Sequence, residues 1–317
     1  MINSTDANIE LIEPITGANL GKLEYPDKQN IIIKTQNTLC NNIIWCPKGE
    51  LLAINGVYPN DKVIIVEFDG YNKVKKVIEL KNKACSYMAW KPDGKELALI
   101  EEETPKKYCI KTYYSSSGDI NLTGPVSGEQ IVSLSWSKNN EIAYVMSNKV
   151  YVLTVKTMKL TFMNVENVDI PKINEVNYIS WCPDGIVLAI VYNSNTVILW
   201  NTKDLSVSGL KTNYPNKPDI KVNNIKSLQW NSDGKKLAGI ADNAIIIWIF
   251  KDNIIYDIKE TNKEDGKIHS FSWCPNKPLF AYNTKQKIMI CDLYTLECNK
   301  TYEYSNYKQS SISWAVY

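Results

Sequence analysis

Hydrophobic and polar residues alternate along this chain in short runs broken by turn residues. Residues 178–201, YISWCPDGIVLAIVYNSNTVILWN, hold three such runs. The first ends at Trp181, a Pro-Asp-Gly turn follows, the second carries Leu188 and Ala189, and the third ends at Trp200-Asn201. The runs are short, rich in β-branched and aromatic residues, and bounded by turn formers, so they predict three antiparallel strands and two turns. No segment shows a comparable helical period.

The unit recurs. Trp45 (IIWCPKGELLAI), Trp90 (MAWKPDGKELALI), Trp136 (LSWSKNNEIAYV), Trp230 (LQWNSDGKKLAGI), Trp273 (FSWCPNKPLFAY) and Trp314 (SISWAVY) join Trp181, at spacings of 45, 46, 45, 49, 43 and 41 residues. Seven and eight positions after the Trp fall Leu52-Ala53, Leu97-Ala98, Leu188-Ala189, Leu237-Ala238 and Phe280-Ala281, with Ile142-Ala143 one residue early. Between Trp and that pair lies Pro-Asp-Gly or a relative. Pro presets φ and Gly or Asn accepts φ > 0, which predicts a tight hairpin. Third strands follow in KVIIVEFDG, KYCIKTYYSSSG, KVYVLTVKT, TVILWNTKD, AIIIWIFKD and KIMICDLYT, and a weaker fourth strand in places, as at 72–80 and 296–304. Four strands in 41–49 residues is the length of one propeller blade.

On these residues the chain resembles the WD40-repeat β-propeller family. The matching features are the Trp-Cys/Lys-Pro-Asp/Lys-Gly turns, the Leu-Ala pairs, and the strand ends Leu199-Trp200-Asn201 and Cys291-Asp292-Leu293, which stand where the family has Trp-Asp. The resemblance implies an all-β, seven-bladed propeller spanning 1–317 as one domain. It departs from the family in having no Gly-His dipeptide and no strand ending in Trp-Asp; the single histidine, His269, lies four residues before Trp273. The family's buried Asp-His-Ser/Thr-Trp network is therefore expected to be missing, leaving stability to apolar packing between blades.

The last repeat supplies one strand only. NIELIEPITGANLGKLEY at 8–25 reads as a third strand, a turn at Ile15-Thr16-Gly17 and a fourth strand, with Met1 to Thr5 where the second should lie. A seventh blade shared between 1–26 and 308–317 is expected, closing the ring by pairing the N-terminal strands with the C-terminal one.

Composition narrows the chemistry. With 317 residues and 44% apolar content the chain can bury a large core. Its 36 basic residues are all lysine and face 34 acidic ones, for a net charge of +2. No global field attracts nucleic acid, and no guanidinium fork is available for bidentate carboxylate, phosphate or guanine contacts. The N-terminus lacks a signal peptide's basic and apolar regions, and no apolar run approaches a bilayer span, so a protein without membrane insertion, cytoplasmic or nuclear, is expected. The eight cysteines form no C-x-x-C pair and read as reduced, mostly buried, small apolar residues.

Catalytic groups are scarce. His269, in the run IHSFSW, reads as an ordinary strand residue, and neither G-x-S-x-G nor a Gly-rich phosphate loop occurs. Glu101-Glu102-Glu103 reads as a solvated loop tip, and the Trp-Cys-Pro cysteines, Cys46, Cys182 and Cys274, as small turn residues in separate blades. Lys-Val-Lys-Lys at 73–76 reads as a guard on an outer strand. No catalytic residue, cofactor, metal or small-molecule substrate is expected. Recognition is expected in the longer loops between second and third strands and between blades, near Tyr58, Glu102, Tyr214 and Lys217. The expected function is a non-enzymatic scaffold with other proteins as partners. A translation- or RNA-associated propeller, or a ligand-binding or enzyme-type propeller with a central pocket, is the alternative.

Overall fold

The computed structural model describes Glu10–Ile12, Asn19–Lys22, Ser313, and residues 43–303 apart from several connections, among them 58–61, 69–73, 81–84, 164–174 and 211–221. Every regular element among the described residues is a strand. No helix there is long and apolar enough to cross a membrane.

A hairpin of β1 (Glu10–Ile12) and β2 (Asn19–Lys22) comes first. Six antiparallel sheets of four consecutive strands follow. The first blade is β3 (Ile43–Trp45), β4 (Leu51–Val57), β5 (Lys62–Phe68) and β6 (Val74–Glu79); the second is β7 (Cys85–Trp90), β8 (Glu96–Thr104), β9 (Lys107–Tyr114) and β10 (Ile120–Thr123). The third is β11 (Ile131–Trp136), β12 (Glu141–Met146), β13 (Lys149–Thr154) and β14 (Lys159–Phe162); the fourth is β15 (Val176–Trp181), β16 (Val187–Tyr192), β17 (Thr196–Asn201) and β18 (Val207–Leu210). The fifth is β19 (Ile225–Trp230), β20 (Lys236–Ala241), β21 (Ala244–Lys251) and β22 (Ile254–Glu260); the sixth is β23 (Ser270–Trp273), β24 (Leu279–Asn283), β25 (Lys287–Asp292) and β26 (Cys298–Glu303).

Two compact units result. One comprises 1–128 with 269–317 and holds the β1–β2 hairpin and the first, second and sixth blades; the other comprises 129–268 and holds the third to fifth. Every expected Trp hairpin from Trp45 to Trp273 is present, and the weak fourth strand occurs in all six blades. The count differs from the expected seven: six four-stranded blades are described. Of the residues expected to share a seventh, those described are the β1–β2 hairpin, at the place of its third and fourth strands, and Ser313. The rest lie outside the described residues.

The second and third strands of a blade read as nearly unbroken apolar runs because both their faces are covered. The fourth blade shows this. Leu188, Ile190, Ile198 and Trp200 join one core with Ala143, Val145, Val150 and Val152 of the third blade. Ala189, Val191, Val197 and Leu199, on the opposite face, join another with Leu228, Trp230, Leu237, Ile246 and Trp248 of the fifth. In the first unit Ala53, Val63 and Ile65 of the first blade meet Trp90, Leu97, Leu99 and Tyr113 of the second. Burying side chains of this size contributes about 1.5–3 kcal/mol each.

Polar stitches register neighbouring blades. The Trp90 indole Nε1 donates to the carbonyl of Ile44 at 3.0 Å, and Trp230 Nε1 to that of Ser180 at 3.2 Å, each time the residue before the preceding blade's Trp. In the other direction Ser135 Oγ accepts from the backbone N–H of Trp181 at 3.0 Å, and Ser133 Oγ from that of Ile179 at 3.2 Å. Ser313, just before Trp314, accepts from the N–H of Trp45 at 3.1 Å in the same relation.

The turns stack as well. Gly94, Gly185 and Gly234 have φ of 74°, 67° and 70°, in the left-handed region that favours glycine. A Cβ on Gly94 would lie 2.4 Å from Cys46 Sγ, and one on Gly234 3.0 Å from Cys182 Sγ. Cys46 and Cys182, each after a Trp, are thus small buried residues beneath the next blade's turn, as their place in the repeat suggests, at 2% and 5% exposed, while Cys274 is half-buried. Burial pushes the Cys182 thiol up to about 12.

Two outcomes follow from this packing. Gly94→Ala combines a left-handed φ with a clash and should cost about 1–3 kcal/mol, whereas Gly128→Ala, with nothing within 4 Å, should be near neutral; equal melting temperatures for both would refute the stacking. Cys182 stays protonated in the fold well past the unfolded thiol's 9.0, so the stability it contributes is complete below about pH 9 and is lost as pH rises toward 12. Urea titrations at pH 8 and 11 should show that loss, and a smaller one for Cys182→Ala.

Candidate functional site

Of the loop residues expected to meet partners, Tyr58, Tyr214 and Lys217 lie outside the described residues. Glu102 is exposed, and its Oε1 accepts the N–H of Lys106 at 2.8 Å. It braces a tight turn, for β8 runs to Thr104 and β9 starts at Lys107, with Lys106 at φ 62°. The long loop expected at 101–107 is therefore a hairpin end. Strand propensity of the flanking runs carried the ladder through Glu101 and Glu102, which pair with Cys109 and Tyr108.

This corrects the reading of Glu101-Glu102-Glu103 as a solvated tip. Strand alternation sends Glu102 to solvent and Glu101 to the face that carries Leu97 and Leu99, which pack on the first blade. Glu101 is fully buried. The Tyr113 hydroxyl donates to its Oε1, and Lys111 Nζ lies 3.4 Å from Oε2 and 2.9 Å from Glu103 Oε1. Burial alone would lower the Lys111 ammonium, but the hydrogen bond to Glu103 and the charge of Glu101 hold it raised. Beside them Cys109 is buried, and its thiol is pushed up to about 12, first by burial and then by the two carboxylates against the opposing pull of Lys111.

A second carboxylate is bound a few residues away. Glu96 Oε1 meets Lys91 Nζ at 2.9 Å, while Oε2 accepts from Thr112 Oγ1 at 3.2 Å and Asn121 Nδ2 at 2.6 Å. Asn121 in turn accepts the Tyr114 hydroxyl at 2.6 Å. Glu96 is 7% exposed. Burying such charges costs several kcal/mol each, offset here by paired ammonium groups and saturating hydrogen bonds. Both glutamates are fixed in place, and their partners come from their own blade.

The remaining candidates occupy strand and turn positions. His269 immediately precedes β23, and its backbone N–H donates to the Asn283 carbonyl at 2.9 Å, extending that ladder. Lys75 and Lys76 are exposed on β6, Lys75 paired with Glu67 and Lys76 Nζ donating to the Ser116 carbonyl at 2.9 Å. The expectation that the cysteines are reduced fails at one pair: Cys291 and Cys298, partners across β25 and β26, form a disulfide. Their separation of 7 residues matches no motif. The turn between β25 and β26 brings them together, and its residues Asp292 to Glu297 were the only signal available.

No family model matches the sequence. The anaphase-promoting complex subunit cdc20 of Dictyostelium discoideum is 27% identical over 183 residues, 46% of this chain. The match spans 36% of that relative's length. Among solved structures, the Cps50 (Swd1) β-propeller domain of Myceliophteria thermophila superposes with a TM-score of 0.70 at 11% identity, covering 88% of this chain and 91% of the other. That likeness extends the shared β-propeller fold over nearly the whole sequence. The tryptophan-anchored repeat, the four-stranded blades built from it and this structural likeness make the fold of the chain that of a β-propeller.

Proposed function

We propose that the protein is a non-enzymatic scaffold that holds other proteins, as one subunit of a larger assembly. The observation that carries this reading is the second blade, where Glu96, Glu101, Lys91 and Lys111 are engaged with one another and with neighbouring hydroxyl and amide groups and are not turned to a substrate. A relative named as a complex subunit supports it. So does the architecture, since a rigid stack of sheets offers its loops and outer strands for contact. The loops near Tyr58, Glu102, Tyr214 and Lys217 belong to the same reading, as partner contacts.

We further infer a seventh blade shared between 1–26 and 308–317. It is supported by Ser313, which meets Trp45 as Ser135 meets Trp181, and by the β1–β2 hairpin in the expected place.

Sized under native conditions, the full chain should run in an assembly with stoichiometric protein partners, and joint substitution of Tyr58, Glu102, Tyr214 and Lys217 should reduce their recovery. Elution as a lone chain would overturn the scaffold reading, and undiminished recovery would reject those loops. Deleting 308–317 should lower the melting temperature by about 10 °C or more, the loss of several kcal/mol; unchanged melting would contradict the shared blade.

A further inference from the structure

The fourth strands differ in how their free edges are guarded. In the first, second, fifth and sixth blades the pairing of the fourth strand with the third is broken by a register shift. Such bulges twist an edge away from further pairing. The β13–β14 pairing has none: Tyr151↔Phe162, Val152↔Thr161, Leu153↔Leu160 and Thr154↔Lys159 run in unbroken register. The fourth blade's β18 is also regular, but its middle is Ser208 and Gly209.

All four residues of β14 are exposed. Met158, Leu160 and Phe162 recur at every second position and are 43%, 44% and 61% exposed. In β14 that spacing sets Leu160 and Phe162 on one face, a solvent-facing apolar pair beside an edge that pairs with no strand among the described residues, while Met158, at φ 55°, is exposed in the turn before the strand. The opposite face carries Lys159 and Thr161. Residues 131–163 contain four lysines and a single carboxylate, Glu141. Lys149, Lys156 and Lys159 are exposed and make no ion pair among the described residues.

We propose that the free edge of β14 receives an extended acidic peptide from a partner protein as a fifth strand of the third blade. The unpaired backbone groups supply the ladder, and register-matched apolar side chains of the peptide cover Leu160 and Phe162. Its alternate residues are carboxylates, set on the Lys159 face and within the field of Lys156 and Lys149. Charge also selects this occupant over a second copy of the chain, because edge-to-edge pairing of two β14 strands would bring like lysines together. The inference is a specific case of the scaffold reading, yet fails separately from it: partners that still co-purify with a β14 variant would leave that reading intact.

The test uses the full-length protein and a fluorescein-labelled octapeptide alternating Val or Ile with Glu. Fluorescence anisotropy should show saturable binding that weakens about tenfold as salt rises from low to near-molar levels, as the Debye length contracts to about 3 Å. A peptide of the same composition with its apolar residues clustered, or with Lys in place of Glu, should bind at least about tenfold more weakly. Leu160→Asp with Phe162→Asp should abolish binding at unchanged melting temperature. Should that variant fail to fold, Lys156→Gln with Lys159→Gln should weaken binding severalfold and flatten the salt dependence. Four results would overturn the proposal: equal binding by the clustered peptide, no loss in either folded variant, a β14-dependent dimer by sedimentation, or binding only after 164–174 is replaced by a Gly-Ser linker. The last would mean that the chain's own connection takes the edge.

Discussion

Within each of the two units, neighbouring blades are held by the seating of a Trp strand on the blade before it, as in the second blade on the first and the fifth on the fourth. The Trp90 and Trp230 indoles cover the neighbour's apolar face, and their N–H groups reach the neighbour's backbone one residue ahead of the equivalent Trp. A backbone carbonyl is a fixed acceptor, so this bond sets register and not merely proximity. The serine stitches and the glycine turns repeat that register at other heights of the same contact. A slip by one residue would send every buried side chain of the strand to the wrong face. The Trp recurs in all six described blades, and a turn glycine accompanies it in four of them, as Gly49, Gly94, Gly185 and Gly234.

Buried charge is the other constraint. The family's Asp-His-Ser/Thr-Trp network is not encoded in this sequence, and apolar packing accounts for the cores of the third to fifth blades. The second blade is different, with two buried glutamates in hydrogen-bonded clusters at separate places along β8. Such clusters add less stability than their contacts suggest, because desolvation cancels much of the attraction, but removing one member leaves a stranded charge. Glu101 fixes the second blade's geometry on the face of β8 that meets the first blade, and Glu96 does so on the opposite face.

The same organisation determines where the protein can meet others. Middle strands are buried on both faces, leaving loops and outermost strands for contact. Most outer strands carry polar residues, a bulge or both, the usual defence against unwanted pairing. The edge of β14 has no bulge, and its polar residues Lys159 and Thr161 alternate with exposed Leu160 and Phe162.

The sequence by itself determined the strands, their turns, the repeat and the Trp register, because these depend on local properties: alternation, β-branching and residues that tolerate left-handed φ. Cys46 and Cys182 were readable as small turn residues for the same reason. Tertiary structure alone decided what depends on pairing. Glu101 and Glu102 are identical neighbours in sequence, yet one is buried and one exposed, since their fates rest on which face of β8 packs on the first blade. Cys291 and Cys298 became partners only when β25 and β26 aligned, and the apolar face of β14 became a surface only because no further strand among the described residues pairs with it. Burial and pairing are properties of two segments at once, and a single run of residues cannot specify its neighbour.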